Sequence, residues 1–178
     1  MSQHVSLPDG VTPGSPESPE ALRYFQIYRA RLADVAHFLE RYPIQLLVCD
    51  AKAGSPGRPL WITRPAYLNL ASLRKGLALL DLHPSASHRI PLGRGLQMEI
   101  RMTFVFNRYH EELASISFDI YLEKISNTSA LRQTVSQKSR AISLRTLMDD
   151  GAVDLGTVLE IRQGSGRDEK QRLKLRLI

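Results

Sequence analysis

Five histidines, one cysteine and two glycine-flanked turns are the residues of this 178-residue chain best suited to chemistry. His4, His37, His83, His88 and His110 are scattered. No two stand four apart with a glutamate between them, the spacing by which one helix face offers two imidazoles to zinc. His110-Glu111-Glu112 starts like such a motif, but it has no second histidine and falls where a hairpin loop is expected. Cys49 is the single cysteine, so neither an internal disulfide nor a multi-cysteine metal site can form. It lies in an apolar run with no histidine near it in sequence, and a buried free thiol is expected rather than a nucleophile. Gly93-Arg94-Gly95 and Gly164-Ser165-Gly166 are too short to cradle phosphate and lack a following lysine and hydroxyl, so turns account for both. Asn127-Thr128-Ser129 fits the glycosylation pattern, which has meaning only on a secretory route. The chain is expected to be no enzyme and to hold no metal or cofactor.

Charge is the stronger signal. The net charge is +6 and the isoelectric point about 9.7, which suits nucleic acid, acidic protein or anionic lipid as partner. Residues 1–22 contain no Lys or Arg, whereas residues 131–178 carry ten basic residues against six acidic ones. Arg132, Lys138, Arg140 and Arg145 decorate a stretch rich in Gln and Ser, as a phosphate-contacting surface would. Lys174 and Arg176 alternate with Leu173, Leu175 and Leu177, and so point off the opposite face. These six are the candidate anion-binding residues, a sequence-independent mode that needs only positive charge with reach, and with only one Tyr flanking the region stacking on exposed bases is not expected. Arg58, Trp61 and Arg64 form a second group, aromatic beside basic, suited to a membrane interface.

These residues are positioned by a patterned chain. Residues 1–19 hold Pro8, Pro13, Pro16 and Pro19 among Ser and Gly, and are expected to form a disordered tail, because so little apolar surface cannot offset the ordering entropy. Its Val5, Leu7 and Val11 are the candidates for docking onto another copy of the chain. Ser18-Pro19-Glu20 reads as a helix start. Leu22, Phe25, Leu32, Val35 and Leu39 favour one helix to about Tyr42, while Tyr24–Tyr28 also tolerate a strand followed by a short helix from Asp34. Ile44–Cys49 reads as a short strand, and Leu68, Leu73, Leu77 and Leu80 mark a second helix after Pro65. In 96–106 and 116–122 apolar residues take every second position, the mark of half-buried strands, and the short connection between them suits antiparallel neighbours. Residues 126–140 are expected to be loop or weak helix, and 157–162 with 173–177 a terminal hairpin. The apolar share of 43% suffices for a core, with no stretch long enough to span a bilayer and no secretory signal at Met1. The fold class expected is α+β: one domain over 20–178, an antiparallel, sandwich-like sheet packed by two or three helices.

The order of elements resembles the matrix proteins of rhabdoviruses. The resemblance rests on Asp34-Val35-Ala36 opening a short helix, Tyr42 near its end, and a strand with a glycine-bearing basic loop from Lys52 to Arg58-Pro59. A helix through Tyr67-Leu68-Asn69-Leu70-Ala71-Ser72-Leu73, the alternating pair at 96–122 and the terminal hairpin complete it, over most of 22–178. It implies strand-then-helix for 22–42. It also implies a structural role: self-association, condensation of the nucleocapsid, a peripheral link to an anionic envelope membrane and to the envelope glycoprotein, budding, and damping of viral RNA synthesis. Location in the virion and in host cytoplasm or nucleus follows from the same likeness. A lysine-rich N-terminal arm and PPxY or PTAP motifs are absent from this sequence, which points to a plant-infecting member. The expected function is that of a viral matrix-type structural protein. The alternatives are a small basic RNA-binding accessory or silencing-suppressor protein, and an enzyme whose site assembles only in three dimensions.

Overall fold

A computed structural model describes residues 19–50, 58–62, 82–125, 132–161 and 169–178. Among them the chain forms helix α1 (Pro19–Arg41), strands β1 (Ile44–Asp50), β2 (Arg58–Trp61), β3 (Ser85–Gly93), β4 (Leu96–Phe106), β5 (Leu113–Ile125) and β6 (Arg132–Ser143), helix α2 (Leu144–Asp150), and strands β7 (Ala152–Ile161) and β8 (Glu169–Leu177). All pairings are antiparallel, in two four-stranded sheets: a meander, β3–β4–β5–β6, and a terminal sheet, β2–β1–β8–β7. This is the α+β, sandwich-like class expected. Both the tail with Val5, Leu7 and Val11 and the helix expected from Leu68 to Leu80 lie outside the described residues.

Of the two readings for 22–42, one continuous helix is observed, and the strand implied by the resemblance is not. The reason is a stripe at helical spacing that runs unbroken through Asp34: Tyr28, Arg31 and Val35 are buried, with Phe38 and Leu39 partly so. The stripe is rotated from the one expected, since Leu22 is exposed. Pro43 follows the end of α1, and the Tyr42 amide donates to the Phe38 carbonyl at 2.7 Å.

Strand β4 places Met98, Ile100, Met102, Phe104 and Phe106 inward, and β5 places Ile116, Phe118, Ile120 and Leu122 beside them. Ile44, Leu46 and Val48 of β1 and Leu173 and Leu175 of β8 line the terminal sheet's inner face and belong to the same core. Burying a phenylalanine such as Phe104 or Phe118 contributes roughly 1.5–3 kcal/mol. Leu147 of α2 is fully buried in this core as well. Helix α2 is capped by the Ser143 hydroxyl, which accepts from the Thr146 amide at 3.0 Å, and by left-handed Gly151.

Two further expectations are corrected. Residues 132–143 form a strand, not a loop or weak helix. Strand β6 is a sheet edge exposed along most of its length, so it needs no apolar alternation. Cys49 is half-buried rather than buried, because its register opposite Arg172 puts it on the outer face of β1. Strands β2 and β3 and helix α2 had no counterpart among the expected elements, and β2 begins at Arg58-Pro59, where a loop was expected to end. Gly93, Arg94 and Gly95 all have positive φ and form the β3–β4 hairpin turn, consistent with the turn expected there.

Candidate anion-binding face

Strand β8 alternates because one side seals the core and the other meets water. Leu173 and Leu175 are fully buried, while Lys170, Arg172, Lys174 and Arg176 are exposed on the outer face. Alternate residues of an antiparallel strand stand about 6.8 Å apart, so the Cα positions of the four cations span a column about 20 Å long. Sheet register extends this column into rows. Arg176 stands beside Gln45, and Gln45 beside Trp61. Lys174 stands beside Leu47 and then Pro59, and Arg172 beside Cys49. On the other flank Lys174 faces Asp154 and Lys170 faces Glu160, both on β7. From β7 to β2 the face therefore passes from acidic to basic to uncharged, ending on Trp61, which is 54% exposed.

Two of the cations are held. The Arg176 Nε donates to Gln45 Oε1 at 2.7 Å, and Gln45 is itself only 5% exposed. The Arg172 Nη2 donates to Asp154 Oδ2 at 3.0 Å, while Asp154 Oδ1 accepts from the Gly156 amide at 2.8 Å. Gly156 stands at φ 71 beside a bulge, a conformation that favours glycine. Lys170 and Lys174 make no ion pair with any described residue. The face can thus hold a phosphate-bearing chain with two fixed guanidiniums and two free ammoniums.

The expected anion-binding residues divide between surfaces. Lys174 and Arg176 belong to the column, joined by Lys170 and Arg172, whose membership shows in the sequence as a cation at every second position of β8. Lys138 and Arg140 stand opposite Ile120 and Phe118, on the inward rows of the edge strand β6. Inward-pointing charge on an edge hinders edge-to-edge pairing with other strands. Arg132 opens β6, and Arg145 on α2 faces Asp149 at 4.0 Å with both side chains in water. Of the membrane-interface candidates, Trp61 joins the column's face, Arg58 begins β2 opposite Val48, and Arg64 lies outside the described residues.

A second polar cluster sits where α1 meets the meander. Arg31 is buried, with its side chain 3% exposed, and pairs with Glu111 through Nε–Oε2 at 3.0 Å and Nη2–Oε1 at 3.2 Å. Its Nη1 donates to the Leu82 carbonyl at 2.8 Å and lies 3.5 Å from His83 Nδ1. The guanidinium also lies over the Phe106 ring at 5.4 Å, and the His83 ring is parallel to that ring with centroids 6.3 Å apart. The Phe106 amide donates to His83 Nδ1 at 3.3 Å. Glu111 reaches Arg31 from the β4–β5 loop at φ 49, with its amide donating to the Asn107 carbonyl. The His110-Glu111-Glu112 fragment thus supplies an ion-pair partner for a buried arginine 80 residues away.

Among the described residues the other histidines do not converge, and His4 lies outside them. His37 and His110 are exposed, and His88 is half-buried on β3 opposite Ile100. Burial pushes the His88 imidazole below its ordinary pKa, and its Nε2 has no hydrogen-bond partner. Among the described residues no three His, Cys, Asp or Glu side chains cluster as metal ligands, and no helix is long and apolar enough to cross a membrane. Compared with protein-family models, curated proteins and solved structures, the chain finds no match.

Proposed function

We propose that this chain is a viral matrix-type structural protein: a non-catalytic protein that self-associates, condenses the nucleocapsid and lies peripherally at the envelope membrane. The observation that carries the reading is the column of Lys170, Arg172, Lys174 and Arg176 on the outer face of the terminal sheet. Contact with a phosphate-rich assembly requires long-reaching positive charge on an accessible surface, with no pocket and no base readout. Of the element order that the resemblance implies, strand β1, the antiparallel pair β4–β5 and the terminal β7–β8 hairpin are present, whereas a helix stands where it implies a strand in 22–42.

A second reading, a small RNA-binding accessory or silencing-suppressor protein, is favoured by Trp61 on the same face, because an exposed ring beside cations suits a single-strand binder. Sedimentation at rising protein concentration separates the two, since the matrix reading requires salt-sensitive oligomers.

Binding of a short RNA measured over a salt series tests the anion face itself. Replacing Lys170 and Lys174 together by Gln removes two phosphate contacts, and the slope of log affinity against log salt should shrink by about 1.4–1.8. A slope unchanged by the double substitution removes the basis of the proposal.

A further inference from the structure

The outer face of the terminal sheet is graded as well as basic, and the gradient sets where a polyanion lies. Asp154 and Glu160 line the β7 side, so phosphates are repelled from that flank. On the β1 side the outer positions, Gln45, Leu47 and Cys49, carry no charged side chain. Beyond them Trp61 projects from β2, two strand spacings or about 9.6 Å from Arg176 in the same row. A chain whose phosphates follow β8 therefore has its other side over an uncharged strip that ends on an aromatic ring. A duplex presents phosphates outward on both strands and keeps its bases stacked on each other, so it cannot use that ring. A flat anionic membrane would meet the β7 carboxylates together with the lysines.

We infer that this face binds single-stranded nucleic acid directly, its backbone along Lys170–Arg176 and one base stacked on Trp61. This rests on the anion-binding reading of the same face and specifies its ligand. The column's Cα positions, about 6.8 Å apart, run along one phosphodiester strand, with Arg172 leaning to β7 and Arg176 to β1, and stacking tolerates any base because every base has a π-face. Gln45 holds Arg176 within the same row as the ring, fixing one phosphate contact next to the stacking site.

Trp61 is the only tryptophan, so its emission reports on the site without a label. The full chain is titrated with a short single-stranded RNA, with a duplex of equal phosphate count, and with vesicles of phosphatidylserine and phosphatidylcholine. The single strand should quench Trp61, and the duplex should bind with little quenching. Read by the anisotropy of end-labelled RNA, since these variants carry no tryptophan, Trp61→Leu should weaken single-strand affinity about 5- to 150-fold and leave duplex affinity unchanged, while Trp61→Phe restores most of the loss. If Trp61→Leu changes single-strand affinity by less than about twofold while Lys170→Gln with Lys174→Gln weakens it, the stacking inference fails and the anion face stands. If neither variant matters, both readings fall. Emission that ignores RNA but shifts to the blue on vesicles assigns the face to a membrane and overturns the inference.

Discussion

Helix α1 is held near its middle by a buried arginine, and separating Arg31 from Glu111 measures what that clamp contributes. Two unit charges about 4 Å apart gain about 4 kcal/mol at an effective dielectric near 20. The Glu111 side chain is 45% exposed and stays hydrated, which reduces the net value to about 1–2 kcal/mol. Glu111→Gln, which keeps the shape and removes the charge, should cost that amount. Arg31→Met keeps the stem and also loses the donor to the buried Leu82 carbonyl and the contact over Phe106, for a total of about 2–4 kcal/mol. In a chain of this length each kcal/mol lowers the melting temperature by roughly 2–4 °C. The assay is a double-mutant cycle in urea with constant m-values, read alongside amide exchange in α1. The double variant should be more stable than additivity implies by about 1–1.5 kcal/mol. A coupling below about 0.5 kcal/mol would refute the claim that this pair holds the helix, whatever the single variants cost.

His88 should make stability depend on pH in one direction. Its pKa is lowered by burial, so the unfolded chain, titrating near 6.5, takes up a proton that the folded chain refuses. Stability should therefore fall as pH drops through about 6.5, with a slope of at most about 1.4 kcal/mol per pH unit, and His88→Leu should flatten that part of the profile between neutral and mildly acidic pH. An unchanged profile in the variant would show that His88 is not the group responsible. Asp154→Asn keeps an acceptor for the Gly156 amide but frees Arg172 from its charge partner. RNA affinity at low salt should rise several-fold, with stability changing by no more than about 1 kcal/mol; an affinity that falls would mean the carboxylate orients Arg172 for binding.

Much of the fold follows from a two-residue period. The alternation Met98-Ile100-Met102-Phe104 gives β4 its inner face, and the same rule predicts β5 and the column of cations on β8. Strand β6 has no apolar period to read, because this edge strand is exposed at most of its described positions. Helix α2 shows no period of its own although Ser143 and Gly151 cap it, since seven residues offer too few turns for periodicity to emerge.

The candidate site divides in the same way. The sequence by itself determined which residues could carry positive charge into water: Lys174 and Arg176 must point away from Leu173 and Leu175 wherever the strand lies. It could not say that Trp61 shares their face, that Lys138 and Arg140 do not, or that Arg31 would find Glu111. Those outcomes depend on strand order and register, which join β1 to both β2 and β8 and bring together residues more than a hundred positions apart. Local patterning records only that one side of an element is buried. The identity of its neighbours is decided when the sheets close over a common core, and only the tertiary structure holds that choice.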